Sequence, residues 1–347
     1  HNVGGFNIQK KIILAVILVI VILVAAFSFF AFAKVDTTLN VNSAFYTDNI
    51  IDKKPVNGQY LMMNISVKNN GKDALTVSND QFTPLIDGKP VEKYSVFTGD
   101  GTDLQRQIQI PEGESKDILV IFDIGDQKPN SVEYHGPIAW APTYKNSTPI
   151  NTITPGVPFD GMNLKLSTNL DMGGEVAGIS FNVKSNVTTT EKFEKTNDSN
   201  LIKETSTDTS TSTSTISGQS DTQNVTEVNT GIIDLRTGLY ENGTFSAMLP
   251  KNLTKNGDTM TAENSTYTIV GSETIDILGH KIDCWKVEGT SEAQGAKLKA
   301  VIYYDKTTGM PIKMVIDKQD AEISGLTVQI QGGGELISTN VPLIGIA

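Results

Sequence analysis

Cysteine is nearly absent from this sequence. Cys284 is alone in 347 residues, so the chain cannot close a disulfide on itself and any zinc site would lack a second thiolate. Histidine is almost as scarce, with only His1, His135 and His280. His280 and Cys284 form the one pair near metal-ligand spacing, and a turn histidine beside a buried cysteine is the simpler account of it. Positive charge is also short. With 28 Lys plus Arg against 39 Asp plus Glu, the formal net charge is -11, which argues against nucleic acid as a partner and suits an exported surface. Catalytic motifs are missing too: there is no Gly-x-Ser-x-Gly elbow, no His-Glu-x-x-His helix and no phosphate-cradling loop. Carboxylates are plentiful, but a pair able to cleave a glycosidic bond is defined by separation in space, which the sequence does not supply. The expectation is a protein that is not an enzyme and needs no cofactor or metal.

What the chain does have is one long apolar run. Ile12 to Ala33 is 22 residues without a charge, opened by Lys10-Lys11. As a helix it spans about 33 Å, enough to cross the hydrocarbon core of a bilayer. The two lysines favour a cytoplasmic residue 1–11 segment, which puts the bulk of the chain outside the cell membrane on a single-pass signal anchor. Two alternatives stay open. Ala31-Phe32-Ala33 is a small-x-small pattern of the kind signal peptidase cuts, although the run is longer than the usual core of a removed signal peptide. A pilin-like filament start is the other, against which stand the polar Gln9, Lys10 and Lys11. Export agrees with eight Asn-x-Ser/Thr sequons, at Asn64, Asn146, Asn186, Asn197, Asn224, Asn242, Asn252 and Asn264, each a glycosylation candidate.

Residues 34–137 read as one small β-sandwich. Short alternating runs recur between turn signals, at Thr38 to Tyr46, Tyr60 to Lys68, Ala74 to Val77, Phe82 to Ile86, Gln105 to Ile110, Ile118 to Asp123 and Val132 to Tyr134. Leu61, Met63, Ile65 and Val67 share a face that should be core, while Met62, Asn64 and Ser66 should be wet. Asn69-Asn70-Gly71-Lys72 and Asp87-Gly88-Lys89 are expected hairpin turns. The order "YLMMNISVKNNGKDALTVSNDQFTPLIDGKPV" followed by "IQIPEGESKDILVIFDI" resembles the immunoglobulin-like extracytoplasmic domain of unknown function found on lipoproteins and membrane-anchored proteins of bacteria and archaea. That resemblance implies a binding or spacing module and transfers no catalytic residue. The Asp-rich stretch 99–103 lacks the full ligand register of a calcium loop and reads as a solvated turn.

Five prolines punctuate a connector, 138–157 with its flanks, which is expected to be stiff and extended. A second, antiparallel β domain follows over 158–347. Its strands include Asn163 to Leu170, Ala177 to Lys184, Gly231 to Leu235, Tyr267 to Val270, Thr274 to Leu278, Ile282 to Val287, Lys297 to Tyr304, Ile312 to Ile316 and Leu326 to Ile330. Between them, 191–223 turns into Ser, Thr, Asp and Lys and cannot bury a core, so a disordered or glycan-bearing loop is expected there. The strands on either side of it should share one sheet. "NGTFSAMLPKNLTKNGDTM", "YTIVGSETIDILGHKIDCWKVEG" and "VIYYDKTTGMPIKM" together resemble an archaeal surface-protein domain, itself similar to the curved half-barrel of lipoprotein carriers. Asp305 to Gly309 is then a turn, and Trp285 and Tyr303 are core anchors or, on the carrier alternative, contacts for an apolar ligand.

The fold class is therefore mainly β: a transmembrane helix, an immunoglobulin-like sandwich and a curved antiparallel sheet. The functional expectation is a membrane-anchored, surface-exposed, glycosylated protein with a structural, adhesive or binding role. Its partners would be the membrane, other cell-surface proteins or glycans, and a second copy in a homo-oligomer. A tethered carrier or sensor for a lipid, lipoprotein or other apolar ligand is the alternative.

Overall fold

The computed structural model describes residues 37–51, 53–97, 107–136, 145–151, 156–176, 178–293, 296–323 and 326–346. The apolar run 12–33, the Asp-rich stretch 99–103 and parts of the connector lie outside them. Among the described residues no helix is long and apolar enough to cross a membrane. The described chain is mainly β, and its strand pairs are antiparallel.

The first unit is a sandwich. One sheet runs β1 (Thr37–Thr47), β2 (Tyr60–Asn69), β8 (Ser115–Asp123), β6 (Ser95–Val96); the other runs β10 (Asn146–Pro149), β9 (Ser131–Tyr134), β4 (Phe82–Ile86), β5 (Lys89–Pro90). A separate pair, β3 (Leu75–Ser78) with β7 (Gln107–Ile110), closes one side. Alternation fills the space between the sheets. Leu61, Met63, Ile65 and Val67 of β2 meet Phe82 of β4 and Val132 and Tyr134 of β9 in one apolar cluster.

Three expectations change here. Met62 is fully buried rather than wet, because the outer face of β2 is covered at that end by the second unit. The Asn69–Lys72 segment is not a hairpin, since β2 and β3 belong to different sheets; buried Asn69 pins it by donating Nδ2 to Asp73 O (2.8 Å) and Ile110 O (2.9 Å). The described part of the connector is not a free spacer. It supplies the edge strand β10, and Val157 and Phe159 beyond it are buried.

The second unit is a single sheet of eleven strands. Its elements are β11 (Asn163–Val176), β12 (Ile179–Lys195), β13 (Leu201–Ile216), β14 (Gln219–Asp234), β15 (Leu239–Tyr240), β16 (Thr259–Ala262), β17 (Ser265–Ile277), β18 (His280–Ala293), β19 (Ala296–Asp305), β20 (Pro311–Ile323) and β21 (Leu326–Thr339). The spatial order 15-14-13-12-11-21-20-19-18-17-16 is two meanders joined where the first strand, β11, pairs with the last, β21. The two sheet edges, β15 and β16, are thus neighbours in sequence, linked by a strap over 241–258.

The hydroxyl-rich tract corrects the expected disordered loop: it forms the end of β12, all of β13 and the start of β14. Its β-branched threonines favour extended backbone. Side chains bond across the strands, as in Ser185 with Ser212 (2.8 Å), Thr213 with Thr222 (3.0 Å) and Thr215 with Ser220 (2.8 Å). Ser217 and Gly218 both take positive φ, the two-residue turn that matches the twist of a hairpin. Ile202, Phe193 and Ile233 anchor the base of the hairpin in the core.

That core runs on into the sandwich. Phe45, Tyr60, Met62 and Ile121 pack in one cluster with Phe159, Leu164, Phe193 and Ile282, and the Phe45 and Phe159 rings stack at 5.7 Å.

Candidate functional site

Register identifies the two faces of the large sheet. Trp285 lies opposite Tyr304, Ile302 opposite Met314, Met314 opposite Gly334, Gly334 opposite Thr168 and Thr168 opposite Val187. Side chains alternate along each strand, so Trp285, Tyr304 and Glu191 share one face. Glu204, directly opposite Phe193, shares it too. Four strand spacings separate β12 from β19, about 19 Å in a flat sheet. The strap nevertheless bonds the far ends of both meanders with residues two apart, Lys251 N donating to Thr237 O after β14 (2.9 Å) and Leu249 N to Gly309 O after β19 (2.8 Å), which requires the sheet to curl with this face inward.

The strap occupies the inside. Leu249 and Leu253 are buried with Ile269, Val287 and Tyr304, with Trp285 packed against them. Phe245 stacks on Tyr267 at 4.0 Å, and Leu249 N donates to Gly309 O at 2.8 Å.

Beside the strap sits a buried acidic pair. Glu191 and Glu204 are diagonal neighbours on β12 and β13, 7% and 2% exposed. Burial, then the nearby Glu204 and Asp208 carboxylates, push the Glu191 carboxyl up to about 8. Burial also raises Glu204, opposed by a hydrogen bond in which Tyr240 Oη donates to Glu204 Oε2 at 2.5 Å. The residue opposite Glu204 is Gly231, and a side chain there would collide with the Tyr240 ring. Glycine at 231 is what lets that ring lie across β14 and reach the carboxylate. A cavity of about 430 Å³ opens next to the pair, lined by Glu204, Ser206, Asn229, Tyr240, Glu241 and Asn242 among others. A second, of about 490 Å³, lies on the outer face at Asn169, Asp171, Lys184, Asn186 and Lys318.

The structure separates the two aromatic candidates. Trp285 is on the inner face, with Lys306 Nζ 4.5 Å from its ring centre. Tyr303 is on the outer face, 8% exposed, and donates to Glu273 Oε2 at 3.3 Å. Trp285 pairs with Tyr304, and Tyr303 next to it points to the opposite face, so the two candidates cannot line one site. Gly309, at φ +72°, closes the turn after Asp305, where Thr307 N (2.9 Å) and Thr308 Oγ1 (2.6 Å) donate to a buried carboxylate that burial raises to about 6.

The sequons divide by surroundings. Asn186, Asn197, Asn224, Asn242, Asn252 and Asn264 are exposed. Asn64 lies half-buried inside the central strand β2 with a buried Oδ1, and Asn146 Nδ2 is held by Thr37 O at 2.6 Å. His280 opens β18 four residues before Cys284, about 13 Å away along a strand, so the two cannot share a metal ion. Burial pushes the Cys284 thiol far up, which leaves it unreactive. No group of three or more metal-ligating side chains occurs among the described residues.

A second polar chain lies in the sandwich. Thr83 Oγ1 is 2.6 Å from His135 Nε2, and His135 Nδ1 is 3.4 Å from Glu133. The order is that of a nucleophile, base and orienting acid. Thr83 is buried, however, and Tyr94 Oη donates to its oxygen at 3.2 Å, so the hydroxyl is engaged inside the fold.

Glu191, Glu204 and Tyr240 were not legible as a site. Both glutamates lie in or beside the tract that reads as disordered. The one signal for them is parity, because Glu191 is two residues from Phe193 and Glu204 two from Ile202.

Residues 32–145 match the family model of a domain of unknown function, DUF4352. The match covers the stretch that resembles an extracytoplasmic domain of unknown function. Among solved structures, a DUF1329 family protein from Desulfovibrio piger is similar at 14% identity, over 53% of this chain and 88% of that chain, with a TM-score of 0.18. A score that low carries no inference about fold or function. No curated protein sequence matches the chain.

Proposed function

We propose that this chain is a non-catalytic cell-envelope protein, held by one membrane-spanning segment at 12–33 with its β units outside, where they space or bind other surface proteins, surface glycans or a second copy. The sandwich would then be an immunoglobulin-like extracytoplasmic module, and the large sheet a surface-protein domain of the archaeal kind.

The observation that supports it best is the filled inner face. A carrier of an apolar ligand needs an open apolar concavity. Here the strap puts Leu249 and Leu253 into that space against Tyr304 and Trp285, and the cavity left beside it mixes the Tyr240 ring and Ile232 with the Glu204 and Glu241 carboxylates and the Asn229 and Asn242 amides. The net charge of -11 argues against nucleic acid and for a solvated exterior.

Organic extraction of the purified 34–347 segment tests the choice. The expected result is no stoichiometric lipid, and loss of fold when Trp285 is changed to Glu. A co-purifying lipid displaced by Trp285→Glu with the fold intact would make the protein a carrier instead.

A further inference from the structure

We infer that Asn242 is an N-glycosylation site whose first sugar residue is seated in the cavity beside Glu204 and Tyr240. The inference rests on the proposal that the β units lie outside the membrane, and it singles out one of the eight sequons on geometry.

Asn242 is exposed at the tip of a tight turn, where Tyr240 N donates to Thr244 O (3.0 Å) and Gly243 N to Tyr240 O (2.8 Å). Its Oδ1 accepts from both Thr244 Oγ1 (2.7 Å) and Thr244 N (3.1 Å). The sequon's own hydroxyl and backbone N–H therefore hold the amide by its oxygen and leave the Nδ2 end out of both bonds. Among the described hydrogen bonds the other sequons lack this arrangement. Asn224 Oδ1 accepts from Thr211 on the next strand, Thr254 bonds Asp258 rather than Asn252, and Thr266 bonds Thr261 rather than Asn264.

The second observation is the cavity. Asn242 lines it, together with Ser206, Asn229, Glu241, Glu204 and the Tyr240 ring, and its volume of about 430 Å³ falls within the range of small-molecule sites. Hydroxyls, amides and carboxylates match the donors and acceptors of a pyranose, and an aromatic ring matches its C–H face. A sugar linked at Nδ2 starts at the cavity's rim, so seating it costs little translational freedom.

The bond-forming step needs a co-reactant, a lipid-phosphate-linked sugar carried by an oligosaccharide transferase. Nδ2 attacks the anomeric carbon, the C–N bond forms as the C–O bond to phosphate breaks, the lipid phosphate leaves and Nδ2 gives one proton to the transferase's base.

The test is glycopeptide mass spectrometry on the full chain, produced in a host that N-glycosylates exported proteins, with endoglycosidase release timed on folded and denatured samples. Asn242 should be occupied. Its glycan should be released several-fold more slowly from the folded protein than those at Asn252 or Asn264, a difference that denaturation removes. Thr244→Ser should keep the modification and Asn242→Gln abolish it. Occupancy at Asn252 or Asn264 with Asn242 bare would overturn the inference while leaving the extracellular placement standing. An occupied Asn242 released as fast as the others would overturn the seat. A bare chain beside a glycosylated control protein would overturn the inference through the placement itself.

Discussion

Burial keeps a proton on Glu191 far above the pH at which a free glutamate loses it. With the folded carboxyl at about 8 against an ordinary 4.5, the native state holds one more proton than the unfolded chain between those values. Stability should therefore fall as pH rises through that window, by at most about 1.4 kcal/mol per pH unit from this group, and level off above it. Asp305 adds the same sign over about 3.8 to 6. Urea midpoints at pH 6 and pH 8 check this: the native chain should lose stability across the interval and Glu191→Gln should lose much less. A second prediction concerns Gly231. Alanine there should push the Tyr240 ring off β14 and cost about 1–3 kcal/mol, whereas Tyr240→Phe should cost about 1–2 kcal/mol by leaving the Glu204 carboxylate without its donor. Denaturation midpoints of the two variants measure both. At this scale the sequence was a poor guide. Chain composition around 191–223 identifies side chains that cannot build a core, and most of them are indeed at least partly exposed, yet Glu191 and Glu204 are carried inward by alternation with Phe193 and Ile202.

Strands were legible where both halves of the alternation were apolar against polar. Leu326, Val328 and Ile330 mark the start of β21, but the strand runs on to Thr339 through Gly332, Gly333 and Gly334, which have no side chain to alternate. Tyr267 to Val270 and Thr274 to Leu278 read as two strands and are one, β17, whose register shifts between Ile269 and Gly271. The largest miss is the β13–β14 hairpin, because a strand flanked by partners needs only backbone pairing and an anchored base, not a buried face. Ser217-Gly218 was the local signal for its turn. Hydrogen exchange should show it directly. Amides of 205–215, paired on both sides by β12 and β14, should be protected well beyond the exchange time of an open chain, and the outer edge of β14 should be protected at alternate positions only. Complete exchange of 205–215 within the first time point would return the tract to a loop.

At the scale of the molecule, sandwich and sheet share one core. Phe159 is 3% exposed and stacks on Phe45, while Thr47 Oγ1 donates to Thr307 O at 3.2 Å, joining β1 to the turn after β19. Phe159→Ala should cost about 3–5 kcal/mol and lower the unfolding of both units together. Separate transitions, with only one of them shifted, would make the units independent. The prolines of the connector read only as a stiff, extended join, since sequence shows a break in patterning but not which apolar faces meet across it. The central claim, that these β units work outside a membrane to which 12–33 ties them, is tested most directly by protease treatment of intact cells. The account predicts that fragments from 37–346 are cut while an N-terminal tag ahead of residue 12 stays protected until the membrane is broken. Full protection of 37–346 in intact cells, with cleavage only after lysis, would contradict it.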